Sequence, residues 1–93
     1  MNYGFTYQIS GTYITGQELI KEIPYHPISI KKIGVQLEQG ESIVLNNQNF
    51  IMGKTGRLEF NDVNITSIKL SSNKEQSSLP VIIDVLCIKE EKE

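Results

Sequence analysis

Three places in the sequence carry residue types that could support chemistry. His26 stands near Pro24 and directly before Pro27, and a histidine can bind a metal ion or act as a general base. Cys87 is the single cysteine of the chain, and a thiolate can act as a nucleophile when a base lies beside it. Gly53-Lys54-Thr55 has the residue order that ends a phosphate-binding loop. Each of these sites needs partners that the sequence must also provide.

The sequence pattern places no partner beside the histidine or the thiol. No cysteine, second histidine or paired carboxylate lies at ligand spacing from His26, so we interpret it as part of a rigid connector. Cys87 lies in the apolar run 81–88, which predicts a buried thiol that packs as a small hydrophobic side chain. Asp84 interrupts the same run. Because no second acidic residue is placed beside it, we interpret Asp84 as structural, either buried with a donor partner or at a wet edge.

The phosphate-loop pattern fails on spacing. The motif requires a glycine five residues before its Gly-Lys pair, and Gln48 stands there. It also requires a following helix whose amides point at the phosphate, whereas 56–60 has the alternation of a strand. We therefore predict a hairpin turn bracketed by Gly53 and Gly56. The sequence assigns no residue to catalysis, a cofactor or a metal, and we expect the protein not to be an enzyme.

Charge and hydropathy disfavour two classes of partner. The formal net charge is -2 and the only basic doublet, Lys31-Lys32, falls inside a strand pattern, so we expect no direct binding of nucleic acid. No apolar run approaches the roughly 20 residues that span a bilayer, and the first residues lack the pattern of a secretory signal. We therefore expect a chain that is made in a reducing cytoplasm, stays soluble and has no membrane partner.

The residue types favour β-structure around one core. The 93 residues include 14 Ile, 5 Val and 5 Thr but no Ala and no Trp, and β-branched side chains suit a pleated surface better than a helix. Alternating apolar stretches cover 3–9, 28–37, 43–52, 57–70 and 81–88. We predict a single all-β domain over 1–93, a small antiparallel β-sandwich of about 7–9 short strands.

Local patterns refine this prediction. Thr15-Gly16-Gln17-Glu18 is a capping-box pattern, so at most one short helix is expected near 17–23, with a strand as the alternative. The parity of the apolar residues switches at Lys31-Lys32, which predicts a β-bulge or a break between two strands. A second bulge or bend is expected near Thr66-Ser67 for the same reason. Asn46-Asn47 predicts a tight turn, because Asn tolerates positive φ.

The last apolar strand and its partners define the expected core. The run 81–88 is apolar at both parities, which is typical of a central strand covered on both faces. We predict a loop over 71–78 and a solvated tail over 89–93, because both stretches are polar or charged. The residues predicted to share one core are Ile33, Val35, Leu37, Leu58, Phe60, Ile68, Val85 and Cys87.

The first 14 residues form the candidate interface. Tyr3, Phe5 and Tyr7 share one face of a strand pattern that a turn at Ser10-Gly11 separates from a second short strand containing Tyr13. Three aromatic rings within five residues exceed what a small core readily receives. We predict that residues 1–14 pack partly against another chain, as an added strand or arm. The alternative is an ordinary strand of the domain's own sandwich.

The middle of the chain resembles a known module. Its ordered segments are Ile30-Lys31-Lys32-Ile33-Gly34-Val35-Gln36, Gly40, Val44-Leu45-Asn46-Asn47, Ile51-Met52-Gly53-Lys54-Thr55-Gly56-Arg57-Leu58-Glu59-Phe60 and Ile65-Thr66-Ser67-Ile68. This series is similar to a short β-rich module of minor structural, tail-associated proteins of bacteriophages and prophages, and the similarity spans about residues 28–88. The sequence departs from that pattern at Lys54, Arg57 and Phe60.

The resemblance implies a virion component with an all-β fold and no active site. We expect a non-enzymatic bacteriophage structural protein, a tail, neck or head-surface subunit. It would be made in the bacterial host cytoplasm, and its partners would be copies of itself and other phage structural proteins. The alternative is a carbohydrate-binding β-sandwich used in adhesion to the host surface, although Trp is absent and the four Tyr cluster near the start of the chain.

Overall fold

The chain folds into two antiparallel sheets that share one core. The computed structural model describes residues 2–72 and 77–90. Over these residues there are seven strands, which confirms the all-β prediction. They are β1 (Asn2–Ile14), β2 (Ser29–Leu37), β3 (Glu41–Leu45), β4 (Gln48–Ile51), β5 (Gly56–Phe60), β6 (Ile68–Ser72) and β7 (Ser78–Glu90). The four-stranded sheet has the order β1-β7-β2-β5 and the three-stranded sheet the order β4-β3-β6.

Side chains from both sheets fill the core. Alternate residues of β7 are buried at Leu79, Val81, Ile83, Val85 and Cys87, as the period of two requires. Six of the eight predicted core residues are buried, whereas Leu58 and Phe60 are half-buried and pack against the core from β5. β5 is an edge strand, so its inward side chains are covered on one side only.

Of the two alternatives predicted at Lys31-Lys32, a β-bulge and a break between two strands, the structure has the β-bulge. The register of β2 against β7 shifts between Ile30 and Lys32, and Ile30 and Ile33 are both buried although they differ in parity. The extra residue therefore turns both halves of the strand toward the core and leaves the two lysines exposed. No second bulge forms near Thr66-Ser67. Instead, 61–67 is an irregular segment tied to β2 by a bridge between Ile65 and Ile30.

The segment between β1 and β2 contains a single 3₁₀ turn, Ile20–Glu22, where a short helix at 17–23 and a strand had equal support. Glu18 fastens this segment to the start of β6. Its carboxylate accepts hydrogen bonds from the Ser67 hydroxyl at 2.6 Å and the Ile68 N–H at 2.7 Å. Burial alone would raise the pKa of Glu18, but these hydrogen bonds together hold it below the ordinary value.

Three further sequence predictions differ from the structure. β1 is one continuous strand, not two strands around a turn at Ser10-Gly11. Gly11 has φ 144°, a backbone angle that glycine reaches easily, and the register with β7 continues through it. β7 is central but covered on one face only, since Ile82 on the other face is 52% exposed. The loop 53–55 is not a hairpin, because β4 and β5 belong to different sheets.

Two predicted polar segments lie partly outside the described residues. Of the loop predicted at 71–78, Ser71 and Ser72 end β6 and Ser78 begins β7, and 73–76 are not described. Of the tail predicted at 89–93, Lys89 and Glu90 are the last residues of β7, and 91–93 are not described.

Candidate functional site: an open strand edge and the sheet face beside it

β1 is an edge strand that pairs with β7 along its whole length. The register runs without a shift from Asn2 opposite Glu90 to Ile14 opposite Ser78. At about 3.3 Å per residue, the 13 residues of β1 run nearly the full 47 Å of the molecule's long axis. The other three edge strands have only four or five residues. The interface residues predicted from the sequence therefore lie on a strand of the domain's own sheet.

The hydrogen bonding shows which groups of β1 point away from the sheet. Beyond the strand end, the Thr15 N–H donates to the Ser77 carbonyl at 2.9 Å, in the same register as the β1–β7 ladder. Because hydrogen-bonded pairs alternate in an antiparallel ladder, the odd-numbered residues of β1 bond to β7. The even-numbered residues, from Gly4 through Thr12, turn their N–H and C=O groups outward. The Ser10 carbonyl accordingly accepts the Tyr13 hydroxyl at 3.3 Å.

This edge lacks the usual protection against pairing. Natural edge strands are kept apart by charged side chains, prolines, bulges or short length. β1 contains no Asp, Glu, Lys, Arg or Pro, and its pairing with β7 has no bulge. No other strand in the described part of the chain covers it. The arrangement can therefore accept a further strand by backbone hydrogen bonds.

The aromatic residues of β1 sit on the core side of the sheet, three in the first half of the strand and Tyr13 near its end. Phe5 and Tyr13 are half-buried against the core, while Tyr3 and Tyr7 are 42% and 37% exposed. Partial burial, followed by the nearby charge of Glu22, raises the pKa of the Tyr13 hydroxyl.

A fifth aromatic ring joins the N-terminal end of the strand. Tyr25 meets Phe5 edge to face at a centroid distance of 5.8 Å, and the Lys89 ammonium lies 5.2 Å from the Tyr25 ring centroid. Tyr25 reaches this position because it and His26 take positive φ angles in the connector before β2.

The opposite face of the same sheet carries a polar row across its four strands. The Gln8 side-chain amide donates to Asp84 Oδ1 at 2.9 Å, and the Arg57 guanidinium donates to Asp84 Oδ2 at 3.2 Å and to Glu59 Oε1 at 2.7 Å. The hydrogen bonds from Gln8 and Arg57 lower the pKa of Asp84. Asp84 is thus held on a half-exposed sheet face by two donors.

Gly34 makes room for this row. It lies on β2 between Asp84 and Glu59, and a β-carbon there would stand 2.9 Å from Arg57 Cζ. The guanidinium therefore crosses β2 directly above the glycine. The row lines an open depression of about 470 Å³ together with Lys32 and Asn61. Its charged groups are paired with one another.

The remaining sequence candidates are dispersed. His26 is exposed in the connector, and Lys54 and Thr55 are exposed in the loop between the sheets. Cys87 is fully buried, and burial raises the pKa of its thiol to about 11. Among the described residues, no three His, Cys, Asp or Glu side chains form a group that could hold a metal ion. No helix among them is long and apolar enough to cross a membrane.

Sequence reasoning missed Gln8, Arg57, Glu59 and Tyr25 as members of these clusters. The signal for the polar row is the glycine within an otherwise apolar strand, since Gly in a strand often marks a close approach of another group. No protein-family model, curated protein or solved structure matches this chain.

Proposed function

We propose that the protein is a non-enzymatic bacteriophage virion component that acts by binding copies of itself and neighbouring virion proteins. The observation that carries the proposal is the open edge of β1, which is long, uncharged and flanked by aromatic side chains. A monomeric soluble protein is expected to blunt such an edge. A subunit of an assembly uses it, because backbone pairing joins copies without a dedicated pocket.

The resemblance of residues 28–88 to a tail-associated phage module supports the virion part of the proposal. The rest of the molecule is consistent with a binding role, since Asp84 is held in a hydrogen-bonded row and the Cys87 thiol is buried and protonated near neutral pH. The thiol is shielded from substrates, and the Asp84 carboxylate is occupied by two donors. The surface feature best suited to binding is the open edge of β1, which can pair with a strand of another chain.

The deciding experiment is mass spectrometry of purified virions from a host that encodes this chain. We expect the chain to be present at a fixed ratio to other virion proteins. Native mass spectrometry of the isolated protein is the complementary measurement, and a defined oligomer is expected. Absence from virions would refute the proposal, and a monomer that binds glycans would favour the carbohydrate-binding alternative.

A further inference from the structure

We propose that β1 pairs antiparallel with β1 of a second copy, about a twofold axis at Gln8. The two four-stranded sheets would then form one continuous sheet with the β1 strands at its centre. This inference rests on the proposed function, because it names the partner and the geometry through which the subunit assembles. Its support comes from the register of outward groups, the cross-strand side chains and the charge of the strand.

The register is obtained by aligning Asn2–Ile14 antiparallel with the same strand of a second copy over its full length. Gly4 then lies opposite Thr12 of the second copy, Thr6 opposite Ser10, and Gln8 opposite Gln8. Every member of these pairs has its N–H and C=O turned outward, which is the condition for a hydrogen-bonded antiparallel pair. The Ser10 carbonyl keeps a second lone pair besides the one that accepts the Tyr13 hydroxyl.

The same register matches the side chains on the core side of the sheet. Phe5 lies opposite Gly11 of the second copy, where the Tyr13 ring of that copy packs 3.6 Å from the position of a glycine β-carbon, so the Phe5 ring meets another aromatic ring. Tyr3 lies opposite Tyr13, and Tyr7 lies opposite Ile9. Aromatic pairs and aromatic–β-branched pairs are among the favourable cross-strand combinations. Pairing would cover Tyr3 and Tyr7, which are 42% and 37% exposed in the single chain.

The absence of charged residues on β1 favours a second copy as its binding partner. A strand that recognises a different protein commonly selects it by opposite charge, and β1 offers no charge. Two uncharged β1 strands meet without charge repulsion between them, although each whole chain carries a formal net charge of -2. A twofold interface also uses the same patch on both subunits, so each favourable pair occurs twice.

The first test compares Thr6→Pro with Thr6→Val by sedimentation equilibrium. Proline removes the outward N–H of residue 6 and leaves the β1–β7 ladder intact, whereas valine keeps the N–H and is the matched control. The twofold axis brings residue 6 of both copies into the seam between the two β1 strands, so each dimer contains the substitution twice. We therefore expect proline to raise the dimer dissociation constant roughly tenfold or more. Valine should change it little. An equally tight dimer in both variants would overturn the inference.

The second test does not depend on whether the proline variant folds. Gln8→Cys places two thiols directly opposite each other, about 5.5 Å apart between Cα atoms, which lies within the range for a disulfide. In Thr12→Cys the two thiols stand eight residues apart along the seam, about 26 Å. The native Cys87 is fully buried and does not compete. Mild oxidation should therefore crosslink Gln8→Cys into dimers and leave Thr12→Cys monomeric in a reducing-agent-free gel.

The outcomes separate this inference from the proposed function. An oligomer that survives Thr6→Pro and gives no crosslink at Gln8→Cys refutes the β1 seam but leaves a self-assembling subunit. Equal crosslinking at both cysteine positions refutes the twofold register. A natural chain that stays monomeric at millimolar concentration refutes the seam as well, while its presence or absence in virions still decides the proposed function independently.

Discussion

Asn46 gives a sharp test of how the irregular segment 61–67 is held, because its backbone and side chain contribute separately. Its φ is 50°, in the left-handed region. Its side-chain amide donates to the Asn64 carbonyl at 2.8 Å. Its Oδ1 accepts from the Thr66 N–H at 2.8 Å, the Thr66 hydroxyl at 3.3 Å and the Ser67 N–H at 3.2 Å. One turn residue thus fastens the hairpin between β3 and β4 to the segment that precedes β6.

Two substitutions divide this contribution. Asn46→Gly keeps the left-handed backbone and removes four hydrogen bonds. These are exposed, so the low end of the usual range applies, about 0.5 kcal/mol each and about 2 kcal/mol together. Asn46→Ala adds about 1 kcal/mol, because a β-carbon is disfavoured at positive φ. We expect free energies of unfolding lower by about 2 kcal/mol for Gly and about 3 kcal/mol for Ala.

Asn47 is the matched control. Its φ is 67°, but its side chain forms no hydrogen bond within the described residues, so Asn47→Gly should be nearly neutral and Asn47→Ala should lose only the backbone part. Urea unfolding followed by circular dichroism measures all four variants. If the two glycine variants are equally stable, the side-chain hydrogen bonds of Asn46 contribute nothing and the reasoning is refuted.

Three further predictions concern the polar row, a carboxylate and the core. Gly34→Ala should displace the Arg57 guanidinium, whose Cζ lies 2.9 Å from the added methyl group, and so raise the pKa of Asp84 in an NMR titration. In an Arg57→Ala background the same change should stabilise the fold by about 0.4–1 kcal/mol, and a loss of stability there would contradict the proposed clash. Because the pKa of Glu18 is lowered on folding, its contribution to stability is present above the ordinary value of 4.5 and is lost as pH falls through the folded value. Glu18→Gln should therefore be destabilised at neutral pH and approach the natural chain in acid, whereas a pH-independent difference would contradict this. Phe60→Ala should cost about 2–3 kcal/mol, less than for a fully buried ring, and an unchanged melting temperature would show that its packing is unimportant.

The positions of the strands could be predicted from the sequence better than the elements that pack beside each strand, and the reason is physical. Alternation reports which residues share a face, so the parity switch at Lys31-Lys32 correctly gave a bulge. It does not report whether a face is covered, and the apolar outer positions of β7 were therefore assigned to a second layer that is absent at Ile82. Glycines likewise indicate that the chain bends near 53–56 but not which sheet it joins next.

Local sequence patterns could not predict which residues come together in the candidate site either. Arg57 and Asp84 are 27 residues apart, and Gln8 and Asp84 are 76 apart. Only the strand order brings them together, and strand order depends on long-range pairing that no local pattern contains. The uncharged aromatic character of residues 2–14 was visible in the sequence. That this strand ends a sheet, with its even-numbered groups turned outward, required the register with β7.

The two hypotheses for the N-terminal segment, an intermolecular strand and a strand of the domain's own sheet, are therefore compatible. A β-strand has two hydrogen-bonding edges, and β1 uses one of them for β7. Deleting residues 1–14 would remove the buried Ile9 and uncover the inner side of β7 near Val85, so loss of folding is expected whichever hypothesis holds. Only a change confined to the outward edge tests the intermolecular hypothesis separately. Thr6→Pro is such a change. A folded, monomeric Thr6→Pro chain together with a dimeric Thr6→Val chain would establish that β1 pairs with β7 along one edge and with a second copy along the other.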